Sequence, residues 1–292
     1  YFESTSYSDL LLRDGKVAAG GSHIDYGVGI RVLDAEKTGY AYSESTDARA
    51  MSQAVKAASK IAAGSSGLSR PCAQGWRIGH GSAAADRYPM TQDWRLSRAS
   101  RFVPFMEELQ QTVSGLDARV EKVIVSLNDQ VSDILMFNSL GDLTFDTRPL
   151  ASLAVTVVFS WEGRIENKTV SRSFRSGCEM LTHELLEQMA REAVKGMDDR
   201  FRARRPKGGQ MPVVMGAGAS GILLHEAMGH AFEADFNRKG QSIFSDRMGT
   251  KICMDGISIV DDGTLTANRG AVNFDDEGVP GQKTFMVENG VL

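Results

Sequence analysis

The chain has 292 residues, 42% of them apolar and 24% charged, with a formal net charge of −4. That length allows a sizeable core in two or three domains, and the negative balance argues against a general polyanion binder. Three widely spaced cysteines, Cys72, Cys178 and Cys253, fit a reducing compartment rather than a disulfide framework, and no run approaches the ~18–20 apolar residues that a membrane helix needs.

Residues 8–13, 26–33 and 38–43 alternate apolar and polar side chains and are expected as short strands. An alanine-rich helix follows at about residues 50–63. A polar stretch, 64–93, marks a boundary. Residues 97–113 are expected as a helix starting near Arg101, with Pro104 in its first turn. Strand patterns then cover 119–127, 132–138, 143–147, 152–160 and 164–171, parted by turns such as SLGD and WEG. This is an antiparallel meander, not a βαβ series. A long amphipathic helix is expected at 179–198.

Residues 200–209, RFRARRPKGG, carry five positive charges and close on Pro and Gly, as a linker does. An apolar run at 211–215 suggests a strand, GAGASG follows, and then a helix. The remainder holds short strands, one near 257–260, between tight turns. The expected class is α+β, multi-domain, with mixed or antiparallel sheets, flanking helices and a β-rich C-terminal part. Its segments are 1–64, 65–207 and 208–292. No signal peptide is visible. The chain starts at Tyr1 without methionine and ends just after the hairpin signal Asn289-Gly290, so a fragment at both ends is expected.

GAGASG (216–221) matches G-x-G-x-x-G between an expected strand and a helix, with Glu233 and Asp235 near the ribose-acid offset. A nucleotide-dependent enzyme is therefore a rival reading. Against it, the chain lacks strand–helix–strand alternation, and small residues also let a helix start pack tightly.

Residues 225–230, HEAMGH, suggest a metal site with a displaced ligand. Residues five apart diverge by about 140° on a regular helix. His225 and His230 can share an ion only if the helix contains a π-turn or breaks near Gly229. Glu226 would then be the general base toward an attacking water. Ile222, Leu223, Ala227, Met228 and Ala231 are expected to hold this helix in a core. A third ligand is not singled out: Cys253, Glu233, Asp235 and His183 are all available, none at a telling spacing.

HEAMGHAFEADFNRKG (225–240), VDDGTL (260–265) and FDDEGVPGQ (274–282), with IDYGVGIRV, EKTGYAYS and TFDTRPLASLAVTV earlier, resemble the TldD/PmbA family of metalloproteases, once called modulators of DNA gyrase. The TldD-like branch carries H-E-x-x-x-H. The resemblance implies a cytoplasmic zinc metallopeptidase that cleaves peptides or unstructured proteins. It implies a homodimer, or a heterodimer with a PmbA-like subunit. His225 and His230 match the zinc ligands and Glu226 the catalytic glutamate. The family's third ligand is a cysteine beyond Leu292, so Cys253 does not match it. The C-terminal segment is then incomplete, zinc is expected to be held weakly by this chain, and apolar side chains near the HEAMGH helix are expected to be exposed. A third reading is a non-enzymatic modulator of DNA or a topoisomerase, prompted by the basic run 200–207. The acidic whole chain and the absence of an aromatic-rich basic face do not favour nucleic acid.

Overall fold

The computed structural model describes residues 1–63, 86–218 and 220–292. Most of the polar stretch expected as a boundary, and Cys72, lie outside the described residues. The chain forms two compact units, Tyr1–Arg202 with Thr264–Gly281, and Ala203–Gly263 with Gln282–Leu292.

The first unit is built on one six-stranded antiparallel sheet: β1 (Phe2–Arg13), β2 (Lys16–Asp34), β3 (Lys37–Ser43), β4 (Val120–Phe137), β5 (Leu143–Trp161) and β6 (Arg164–Phe174). Their order across the sheet is β3-β2-β1-β4-β5-β6. Strands from the expected segments 1–64 and 65–207 therefore share a sheet. Tight hairpins turn at Asp14-Gly15 and Glu162-Gly163, both pairs with positive φ, the backbone that a two-residue turn between twisted strands requires.

Several strands are longer than their patterns suggest. Residues 119–127 and 132–138 join into β4, and 143–147 and 152–160 into β5. Polar Asn128, Asp129 and Gln130 do not interrupt β4, because β1 and β5 pair with these residues on both sides. Pro149 is tolerated inside β5 for the opposite reason. Pairing with β6 begins only at Ala151, so the proline lies where β5 has one neighbour.

One face of the sheet carries the core. Leu10, Leu12, Val125, Leu127, Leu153, Val155, Val157, Phe159, Val170 and Phe174 are buried. They pack with Met106, Leu109 and Val113 of α2 (Val103–Leu116) and with Leu186, Met189, Ala190 and Ala193 of α3 (His183–Val194). Pro104 sits in the first turn of α2, where its missing N–H costs nothing. The helix expected over 179–198 is shorter. Thr182 caps α3 by accepting from the Leu185 N–H, and Gly196, at φ 76°, separates it from α4 (Met197–Arg202). On β2 and β3 lies α1 (Ala48–Ala63), whose Ala54, Ala58 and Ala62 form a buried i, i+4, i+8 stripe.

The second unit contains α5 (Ser220–Ala227), α6 (Ala234–Arg238) and the antiparallel pair β7 (Ile259–Asp262) and β8 (Lys283–Val287). The Asn289-Gly290 turn forms, with Glu288 and Val291 bonded across it. Residues 211–215 are not a strand; Val214 is 98% exposed. β-branched residues favour a strand only where another strand satisfies the backbone, and here none does. Among the described residues no helix is long and apolar enough to cross a membrane.

Candidate metal centre

The histidine pair is brought together by a break in the helix. Ser220 to Ala227 is α-helical, Met228 leaves the helix at φ −134°, ψ −37°, and Gly229–Phe232 forms a 3-10 turn. A break, not a π-turn, resolves the five-residue spacing. The His225 and His230 rings lie 4.5 Å apart, edge to face. One ligand atom each from His225, Glu226 and His230 falls within 4.8 Å of the others. Among the described residues this is the grouping suited to hold a metal ion. Glycine at 229 keeps the spot beside His225 clear: a Cβ there would stand 3.3 Å from His225 Nδ1.

The donors fit zinc. Imidazole and carboxylate are both zinc ligands, with bonds of about 2.0–2.2 Å. The two ring nitrogens could turn toward one ion, with the Glu226 carboxylate close by and free to act on a water beside it. All three side chains are exposed, so little desolvation opposes those rotations. His230 Nδ1 lies 2.6 Å from Glu233 Oε1, and His230 Nε2 lies 3.9 Å from Glu226 Oε2. The hydrogen bond to Glu233, then the charges of Glu233 and Glu226, raise the His230 pKa.

The helix is not held in a core as expected. No residue of α5 is buried; Ile222 is 65% exposed and Leu223 56%. Eight residues that are apolar on several sides cannot be covered by the few short elements of this unit.

The other residues considered as ligands are disposed differently. Glu233 lies behind His230 rather than beside the shared space. His183 belongs to the first unit, where its Nδ1 is 3.0 Å from Glu108. Cys253 is half-buried and Asp235 is in α6, both outside the grouping. The strand before GAGASG is absent and both sheets are antiparallel, so the setting of a dinucleotide fingerprint is not formed among the described residues. Part of the basic run 200–209 is structural: Phe201 is buried and Arg200 donates to the Asn167 carbonyl.

Sequence reasoning missed a second polar cluster. Tyr88 donates its hydroxyl to Asp146, which also receives Arg148 Nε at 2.8 Å and Asn273 Nδ2 at 3.2 Å. Arg148 reaches Asp276 and the Phe274 carbonyl, both at 2.7 Å, and Arg31 reaches Glu277 at 2.5 Å. The only prior signal was that TFDTRPL, FDDEG and IDYGVGIRV all stand out as motifs.

Fold and site together define a class: an antiparallel α+β scaffold bearing a histidine–glutamate cluster suited to a metal. Three family models match in order. The PmbA/TldA metallopeptidase domain 1 covers residues 1–62, the central domain 97–197, and the C-terminal domain 208–292. A metalloprotease TldD homolog of Haemophilus influenzae is 33% identical over 298 residues, spanning 100% of this chain and 61% of the relative. A metalloprotease of Methanothermobacter thermautotrophicus is 31% identical over 290 residues, spanning 98% and 61%. Among solved structures, TldE of Thermococcus kodakarensis shares the fold with a TM-score of 0.68 at 19% identity, covering 100% of this chain and 65% of that one. A Thermotoga maritima protein described as a candidate modulator of a DNA gyrase does so with a TM-score of 0.77 at 20% identity, covering 100% and 64%. The chain belongs to the PmbA/TldD family of metallopeptidases. It spans about 61% of the length of the curated relatives it matches.

Proposed function

We propose that this chain carries the zinc-binding histidines and the general base of a TldD-type peptidase acting on peptides or unstructured proteins. The observation that carries the reading is the gathering of His225, Glu226 and His230 within 4.8 Å despite a spacing that would part the two rings on a regular helix. His225 and His230 would hold the ion through ring nitrogens. Bound there, zinc would supply Lewis acidity toward a water molecule and a peptide carbonyl. Glu226 would accept the proton of the attacking water on a carboxylate oxygen and pass it to the leaving amine. The exposure of all three side chains leaves room for an extended peptide to reach them. We place the whole protein in the cytoplasm, as a homodimer or as a heterodimer with a PmbA-like subunit.

The test is role separation. Glu226→Gln in the whole protein should lower peptide cleavage by about 10²–10⁴-fold while zinc content stays at the wild-type level. His225→Ala and His230→Ala should lose zinc and activity together. Zinc loss in Glu226→Gln equal to that in the histidine variants would overturn the assignment of Glu226 as a base.

A further inference from the structure

His230 has two ring nitrogens, and only one can face an ion shared with His225. In the structure its Nε2 is on the side of Glu226, at 3.9 Å from Oε2, too far for a hydrogen bond. Its Nδ1 is committed to Glu233 Oε1 at 2.6 Å. A carboxylate accepts and cannot donate when ionised, so this contact requires a proton on Nδ1. In the neutral ring the lone pair then lies on Nε2, on the side of Glu226.

Glu233 is held where it can do this. It immediately precedes α6, and its carbonyl accepts from the Asn237 backbone N–H at 3.1 Å and from Asn237 Nδ2 at 2.9 Å. The same Asn237 amide donates to the Ala231 carbonyl at 2.8 Å, and Ser242 Oγ donates there at 2.5 Å. Phe232, between those two carbonyls, stacks on Phe244 with ring centroids 4.9 Å apart. The backbone on both sides of Phe232 is thus tied down, although His230 and Glu233 themselves are exposed. His230 sits in the 3-10 turn that this arrangement closes.

We infer that Glu233 is the positioning residue of the site: it fixes the Nδ1–H tautomer and the ring orientation of His230, presenting Nε2 to the ion. This rests on the reading of His225 and His230 as metal ligands. It goes beyond that reading by excluding Glu233 as a ligand and assigning it to the far side of the imidazole. A carboxylate behind a ligating imidazole raises its basicity and sets its tautomer, and losing one costs about 10–100-fold in metal affinity.

The experiment has two arms on the chain and its Glu233→Ala and Glu233→Gln variants. The first is ¹⁵N NMR of the His230 ring in metal-free protein, read at the alkaline plateau of a pH series where the ring is neutral, because Glu233 raises its pKa. Wild type should show Nδ1–H. Glu233→Ala should shift toward Nε2–H, and Glu233→Gln, which keeps an acceptor oxygen, should retain Nδ1–H. The second arm is competition titration with Zn²⁺ against a chelator. Glu233→Ala should bind about 10–100-fold more weakly and Glu233→Gln should recover most of that loss. An Nε2–H wild-type ring, or Glu233→Ala binding zinc as wild type does, overturns the inference. So does a Glu233→Gln ring that has lost Nδ1–H, because the amide oxygen still accepts at that position. Failure of the underlying reading looks different: zinc affinity would then be insensitive to His225→Ala and His230→Ala, whatever the tautomer.

Discussion

Asp129 shows how a single side chain can weaken a fold at neutral pH. It lies on β4 at the same parity as Val125, Leu127 and Val131, so its carboxyl points to the core side of the sheet. Burial raises its pKa to about 6, opposed in part by a hydrogen bond from Ser8. The folded state therefore holds the proton more tightly than the unfolded state, whose aspartates titrate near 3.9. The stabilisation from that proton is complete below about pH 4 and is lost as pH rises through about 6. Asp129→Asn should gain about 1 kcal/mol at pH 7, short of the full linkage value because solvent screens a half-buried group. It should gain nothing at pH 4. Urea midpoints at the two pH values check this, and an equal gain at both would remove ionisation as the cause.

At the scale of elements, two glycines predict opposite outcomes. Gly39 of β3 lies against α1 so closely that a Cβ would stand 1.9 Å from the Ala58 carbonyl oxygen and 2.8 Å from the Ala62 nitrogen. Both are backbone atoms, so the helix must lift as a body. Gly39→Ala should cost about 2 kcal/mol in urea unfolding; a cost below about 0.5 kcal/mol would mean that α1 can slide freely on the sheet. Gly115 near the end of α2 has nothing within 4 Å of an added Cβ. Gly115→Ala should stabilise by about 0.5 kcal/mol, through helix propensity and a less flexible unfolded chain. Helix α5 belongs to neither case. Its end at Ala227 is set where Met228 leaves helical angles ahead of Gly229, and that end makes the histidine pair.

Across the whole molecule, residues far apart in sequence close one polar network. Thr264–Gly281 belongs with the first unit although it follows the residues of the candidate metal site in the chain. Asp146 is 5% exposed, paired with Arg148 at 2.8 Å and bonded to Tyr88 and Asn273. Arg148 also ties down Asp276 and Phe274. Arg148→Leu would leave a buried carboxylate without its cation, a change that costs about 3 kcal/mol or more. Amide exchange in residues 273–281 should quicken in that variant beyond the change in β5. Unchanged protection of 273–281 would mean that other contacts hold the segment. The segments TFDTRPL and FDDEG thus join residues far apart in the chain.

Local chemistry made much of this protein legible in advance. Alternating strands, paired turn residues and the absence of strand–helix alternation pointed to an antiparallel α+β fold. The H-E-x-x-x-H spacing demanded a π-turn or a break near Gly229, because the angular step of a helix is a property of the backbone alone. The family followed from the same short motifs. Other features had no local signature. Strand continuity through Asn128–Gln130 was decided by neighbours on both sides, and the failure of residues 211–215 to form a strand by the lack of any neighbour. The bond between His230 and Glu233, three residues apart, depended on the turn that Asn237 and Ser242 close. The link from Arg148 to Asp276 spans 128 residues, a pairing that no periodicity encodes, since only the folded backbone brings such partners within hydrogen-bond range.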